Sequence, residues 1–234
     1  MSCLIPLLGC LVAASLTGCT AANSALGGNT RKSAIAEARW QYAKDALVLE
    51  LAADTRLNEY DDEAHTLLLG VYQMADPAQF YKLMANPEAL AKTLENGNAG
   101  NGFVDFSRHV IGPGQHTVLS LDRAQDARFV GISAGYYHIT PTRITRLFPI
   151  PLQVDSTGWL GRTYTAAPSV LRLRLQLGAE GIIGAERLQP VPGDVAGSTS
   201  TSLSPDRDGN EISLSPEALE ADIHMVNMAK TIGN

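Results

Sequence analysis

Leu171-Arg172-Leu173-Arg174-Leu175-Gln176-Leu177 sets a leucine at every second position with a charged or polar side chain between. Successive side chains of an extended strand point to opposite faces, so a period of two makes one face apolar and the other wetted. Leu47-Val48-Leu49-Glu50-Leu51-Ala52 repeats the pattern. The same signature marks Thr66 to Gln73, with Leu67, Leu69 and Val71 on one face, and Phe129 to Tyr137, with Val130, Ile132, Ala134 and Tyr136 on one face. Phe103 to Val110, His116 to Leu121 and Ile144 to Leu152 are further strands, and Ser169 to Leu177 is the last. Seven strands joined by short turns, with few helices, predict a mainly β protein: a β-sandwich of about seven strands.

The period changes after Asp76-Pro77. Phe80, Leu83, Met84, Leu90 and Leu94 are spaced for helices interrupted at Asn86-Pro87. This predicts a small helical insertion, about 76–97, closed by the Gly/Asn-rich run from Asn96 to Gly102. The sandwich domain is expected over 40–189. Beyond it, 190–234 turns to Pro, Gly, Ser and Thr and reads as a flexible extension. A terminal helix is expected there, with Ser215 as N-cap, Pro216 at N1 and Leu219, Ile223 and Val226 on one side.

The first nineteen residues read as an address. Leu4 to Ala14 is nearly all apolar, too short to cross about 30 Å of hydrocarbon but the length of a signal-peptide core. Leu16-Thr17-Gly18-Cys19 then fits a lipobox, which makes 1–18 a signal peptide and Cys19 the residue that receives a covalent lipid. Residues 19–39 become a lipidated linker. Within it Thr30 is placed to cap a short helix from Arg31 to about Ala38. No Lys or Arg precedes the apolar run, so either the amino terminus is its only positive charge or the start lies upstream. All three cysteines, at 3, 10 and 19, precede the domain, which is therefore left without a disulfide or a thiolate metal site.

Of the 234 residues 45% are hydrophobic and 18% charged, a balance that folds. The net charge of -6 offers no basic field to a polyphosphate, so nucleic acid is not an expected partner. Gly131-Ile132-Ser133-Ala134-Gly135 matches the G-x-S-x-G nucleophile pattern, yet that chemistry needs a sharp strand-to-helix turn, whereas this stretch reads as continuous strand. Its small residues are expected to admit a neighbouring layer. Asp206, Asp208, Asn210 and Glu217 are spaced as in a calcium loop, but Glu211 stands where that loop needs glycine. The five histidines show no paired-ligand spacing. Aromatic residues are only 6% of the chain and do not cluster in sequence. No metal site, no catalytic residue and no cofactor beyond the lipid on Cys19 is expected.

Several strings, in this order and spacing, resemble the TssJ (VasD-like) lipoproteins of the type VI secretion system. They are the lipobox at Cys19, Trp40 to Ala46, Leu57-Asn58-Glu59-Tyr60, His65 to Gln73 with Asp76-Pro77 and Phe80, Gly131 to Tyr137, and Arg146 to Pro151. Together they span about two thirds of the chain, 40–188. The resemblance implies a transthyretin-like β-sandwich with an inserted helical piece. It also implies a non-enzymatic, outer-membrane-anchored subunit that binds the periplasmic domain of a TssM-like inner-membrane component through the loop between its first two strands. Here that loop is Asp54 to His65. Its partner-binding residues are then Leu57, Asn58, Glu59, Tyr60, Asp61, Asp62 and Glu63, with Leu57 and Tyr60 as exposed anchors and the carboxylates steering a basic surface. The rival expectation is a periplasmic lipoprotein whose sandwich binds a small ligand or a cell-wall glycan.

Overall fold

The computed structural model describes residues 23–24, 27–159, 161–188 and 201–203. Cys19, the signal peptide and the expected terminal helix lie outside the described residues. The strands are β1 (Ala43–Ala53), β2 (Leu67–Met74), β3 (Asp105–Ile111), β4 (His116–Arg123), β5 (Phe129–Ala134), β6 (Thr145–Pro149), β7 (Leu152–Thr157), β8 (Thr163–Pro168), β9 (Leu171–Leu177), β10 (Ile182–Arg187) and β11 (Thr201–Leu203). The helices are α1 (Arg31–Ala36), α2 (Ala78–Met84), α3 (Pro87–Asn96) and α4 (Pro141–Ile144). They form two compact units: the larger draws on 40–151 and 168–188, the smaller on 23–39, 152–167 and 201–203.

The larger unit is a sandwich of two four-stranded sheets, ordered β10-β9-β1-β4 and β3-β2-β5-β6. β1 lies parallel to β9, with Leu47 opposite Leu171, Leu49 opposite Leu173 and Leu51 opposite Leu175. Their leucines form one inner face, and Leu67, Leu69, Val71, Val130, Ile132 and Ala134 of the second sheet close the core against it. On the outer face of the same pair, Arg174 bridges Glu50 at 3.0 Å and Glu186 at 3.1 Å. These exposed pairs align the three strands while adding little stability.

The central strands β2 and β5 of the second sheet are buried on both sides, because the helical segment covers the outer face there. Tyr72, Met74 and Leu147 project outward and pack on Phe80, Tyr81 and Met84 of α2. Asn86 caps α3 by accepting the Ala89 N–H at 3.0 Å, which turns the Asn86-Pro87 break into a helix start. Two glycines permit this covering: a methyl group on Gly70 would meet Leu94 at 2.8 Å, and one on Gly131 would meet the Phe80 ring at 2.7 Å.

The expected strands differ from the observed ones in three places. The sandwich has eight strands and not about seven, the addition being the edge strand β10, whose Gly184 and Glu186 break its alternation. The expected strand Ile144 to Leu152 is split, since α4 ends at Ile144 and Pro151 parts β6 from β7. The expected strand Phe129 to Tyr137 stops at Ala134, where the Gly135 N–H crosses to the Leu68 carbonyl.

In the smaller unit β7, β8 and β11 form a three-stranded sheet. Residues 152–167, expected within the sandwich, belong here beside 23–39. Thr30 caps α1 through a capping box with Ser33. Asn23 and Asn29 bind the backbone of the β8 segment with their side-chain amides. Asn23 accepts from the Arg162 N–H at 2.7 Å and donates to its carbonyl at 3.0 Å. Asn29 does the same at Tyr164, at 2.6 and 2.9 Å.

Candidate functional site

β1 and β2 lie in different sheets, so the segment joining them crosses from one layer of the sandwich to the other at its end. Three backbone bonds tie it there to the β9–β10 and β3–β4 turns. The Asp54 N–H donates to the Leu177 carbonyl, the Asp54 carbonyl accepts from Gly114, and the Glu59 N–H donates to the Ala179 carbonyl. A connection held at so many points is a rigid cap on the core.

Leu57 is the plug of that cap. It is fully buried and belongs to the main core, packed with leucines of both sheets. The expectation that Leu57 is an exposed anchor is corrected: crossing between layers drags one apolar side chain over the open end of the core, where burial retains it. Asn58 is also buried, with its backbone at φ 50°. Its amide donates to the Thr66 carbonyl at 3.1 Å and accepts the Tyr137 N–H at 2.7 Å. Asn58 therefore positions its neighbours and does not itself face outward.

Tyr60 to Glu63 form the tip. The Tyr60 and Glu63 backbones bond to each other in both directions, at 2.9 and 3.1 Å, with Asp61 at φ 53° and Asp62 at φ 61° between them. Two successive left-handed residues make the pattern of a type I′ turn, which Asp tolerates better than most. Asp61, Asp62 and Glu63 are exposed. Glu59 is half-buried and ion-paired with Arg56, whose guanidinium holds its carboxyl below the usual range.

Tyr60, 42% exposed, stacks on Tyr137, 59% exposed, with ring centroids 3.7 Å apart. His138 stands edge-on to Tyr137 at 5.5 Å. The Tyr60 hydroxyl beside it raises the Tyr137 phenol above its ordinary value. The aromatics scattered in sequence do cluster in space. Sequence reasoning missed Tyr137 and His138, although their signal is visible: alternation past Ala134 sends Tyr136 into the core and Tyr137 out.

Ser133 of the G-x-S-x-G string is fully buried, with its hydroxyl 3.0 Å from that of Tyr72. Burial pushes the Tyr72 phenol up to about 12, so it offers no base to a nucleophile. A half-open groove of about 330 Å³ lies between α3 and the start of β2, lined by Leu67, Leu90, Leu94 and Val110 among others, with Tyr136 its one aromatic. A glycan site wants several aromatic platforms and converging polar groups, which this lining lacks. Among the described residues no cluster of His, Cys, Asp and Glu is arranged to hold a metal. No helix among them is long and apolar enough to cross a membrane.

A family model described as type VI secretion lipoprotein (VasD, EvfM, TssJ) matches residues 45–177, more than half of the chain. The solved type VI lipoprotein TssJ1 from Pseudomonas aeruginosa is 21% identical, with TM-score 0.42, over 65% of this chain and 98% of its own. Serratia marcescens Lip, a membrane-bound component of the type VI secretion system, is 18% identical, with TM-score 0.43, over 62% and 98%. A structure of the TssM C-terminal domain from EAEC is 15% identical, with TM-score 0.42, over 62% and 98%. No curated protein matches significantly.

Proposed function

The chain belongs to the type VI secretion lipoprotein family, and from that membership we propose that it is the outer-membrane-anchored, non-enzymatic subunit of the secretion membrane complex. Cys19 carries the lipid. Thr20 follows it where an Asp would favour inner-membrane retention in enterobacterial sorting. The lipid holds the chain to the bilayer without a spanning segment. The protein partner is the periplasmic domain of a TssM-like inner-membrane component.

One observation carries the proposal: the loop between β1 and β2 sets an exposed aromatic pair beside three exposed carboxylates on a rigid cap. Aromatic anchors ringed by charge are the composition of interface hot spots. The binding surface is therefore Tyr60 and Tyr137 as anchors, with Asp61, Asp62 and Glu63 at the rim. Leu57, Asn58 and Glu59 support it from behind. Surface plasmon resonance against the TssM-like periplasmic domain tests this. Tyr60→Ala with Tyr137→Ala is expected to weaken binding by about 2 kcal/mol or more, whereas undiminished affinity would place the interface elsewhere.

A further inference from the structure

The turn between β7 and β8 presents Trp159 with 91% of its surface open to solvent. Gly158, at φ 93°, makes the turn so tight that a side chain there would strike the Gly161 carbonyl at 2.2 Å. An indole standing in water leaves a large apolar surface unburied, the kind of surface that tryptophan brings to contact sites.

The leader side of the chain indicates what it contacts. Asn23 binds both backbone groups of Arg162, three residues beyond Trp159, and Asn29 repeats the clamp at Tyr164. Asn23 is only the fourth residue after Cys19. Four extended residues reach at most about 14 Å. A lipid on Cys19 would therefore hold Asn23 within that distance of the bilayer surface, with Arg162 one side-chain hydrogen bond beyond it and the turn that carries Trp159 beside Arg162. Exposed Lys32, Arg39 and Arg162 in the same unit suit anionic headgroups. Tryptophan, with an apolar body and one N–H donor, partitions to the headgroup level.

We propose that Trp159 at the tip of the β7–β8 turn is a second membrane contact, seated among the lipid headgroups beside the acylated Cys19. This rests on the lipid-anchor reading of Cys19. The indole turns a single lipid attachment into a two-point one.

The chain has two tryptophans, Trp40 and Trp159, so the emission of Trp159 is the difference between the native lipoprotein and its Trp159→Phe or Trp159→Ala variant. Neither change removes a buried contact, and the two variants check each other. The full-length protein is reconstituted into phosphatidylethanolamine/phosphatidylglycerol vesicles with acyl chains brominated near the headgroup, and flotation and N-terminal mass are recorded beside fluorescence. The expected result is that brominated lipid quenches most of the difference emission while acrylamide in the water no longer does. Flotation with acylated Cys19 but with the indole still open to acrylamide would overturn the inference alone, leaving Trp159 free for a protein. Failure to float, with unacylated Cys19, would overturn the anchor reading and the inference with it.

Discussion

Tyr60 and Tyr137, far apart in the chain, stack at 3.7 Å because the buried amide of Asn58 holds the Tyr137 N–H at 2.7 Å. The loop between β1 and β2 and the loop after β5 therefore present one surface. Leu57 and Tyr60, three residues apart, are expected to separate in experiment. Leu57→Ala should cost about 2–5 kcal/mol of folding stability through the cavity it leaves. Tyr60→Ala should lose only its coupling to Tyr137, about 0.5–1.5 kcal/mol, and act mainly on partner binding. Urea denaturation beside plasmon resonance distinguishes the two.

Asp61→Asn, Asp62→Asn and Glu63→Gln together should slow association with the partner and flatten its salt dependence, leaving dissociation nearly unchanged, since rim charges act on encounter. Asn keeps the left-handed backbone that both Asp positions require, so the turn survives. Equal salt slopes for the native and triple-variant proteins would count against steering by this loop.

Cys19→Ser should release the protein from the membrane fraction with the sandwich intact, because the larger unit begins only at Trp40. Fractionation with circular dichroism of the released protein checks both halves. A variant that stays with the outer membrane would remove the lipid from the reading.

Ser133→Ala should cost about 1–3 kcal/mol, by leaving the Tyr72 hydroxyl buried without its partner. It should change no hydrolysis, because the native protein is expected to cleave neither ester nor amide substrates. Turnover that vanished in this variant, with the fold preserved, would reverse that expectation.

His109 on β3 is half-buried, and burial lowers its pKa below the ordinary 6.5. The unfolded chain then takes up the proton first, so this contribution to stability is present above 6.5 and is lost as pH falls through and below it. The slope of Tm between about pH 7.5 and 5 should flatten in His109→Gln. An unchanged slope would assign the pH dependence to other groups.

Alternation was plainest where one side of a strand is wet, as at Leu171 to Leu177, while β2 and β5, buried on both sides, were legible from apolar residues at every second position. β7 and β8 were not, since Gln153, Asp155, Thr163 and Thr165 bury too little for a pattern to form. The loop was recognisable as a connection, but not as a crossing between sheets. For that reason Leu57 read as an exposed anchor when it is a plug. Alternation shows that Tyr137 points outward, but its pairing with Tyr60 depends on the long-range bond from Asn58, which no local period encodes.

The parallel pairing of β1 with β9 joins residues as distant as Glu50 and Arg174, 124 positions apart. β1 is made early, yet one of its two ladders stays open until nearly all of the domain has followed. Closing so long a loop is slow, and an unpaired apolar strand is a template for wrong partners. The apolar run Leu47 to Leu51 therefore keeps one side unpaired until Leu171 to Leu177 has been made, and the domain closes last on the strand it makes first.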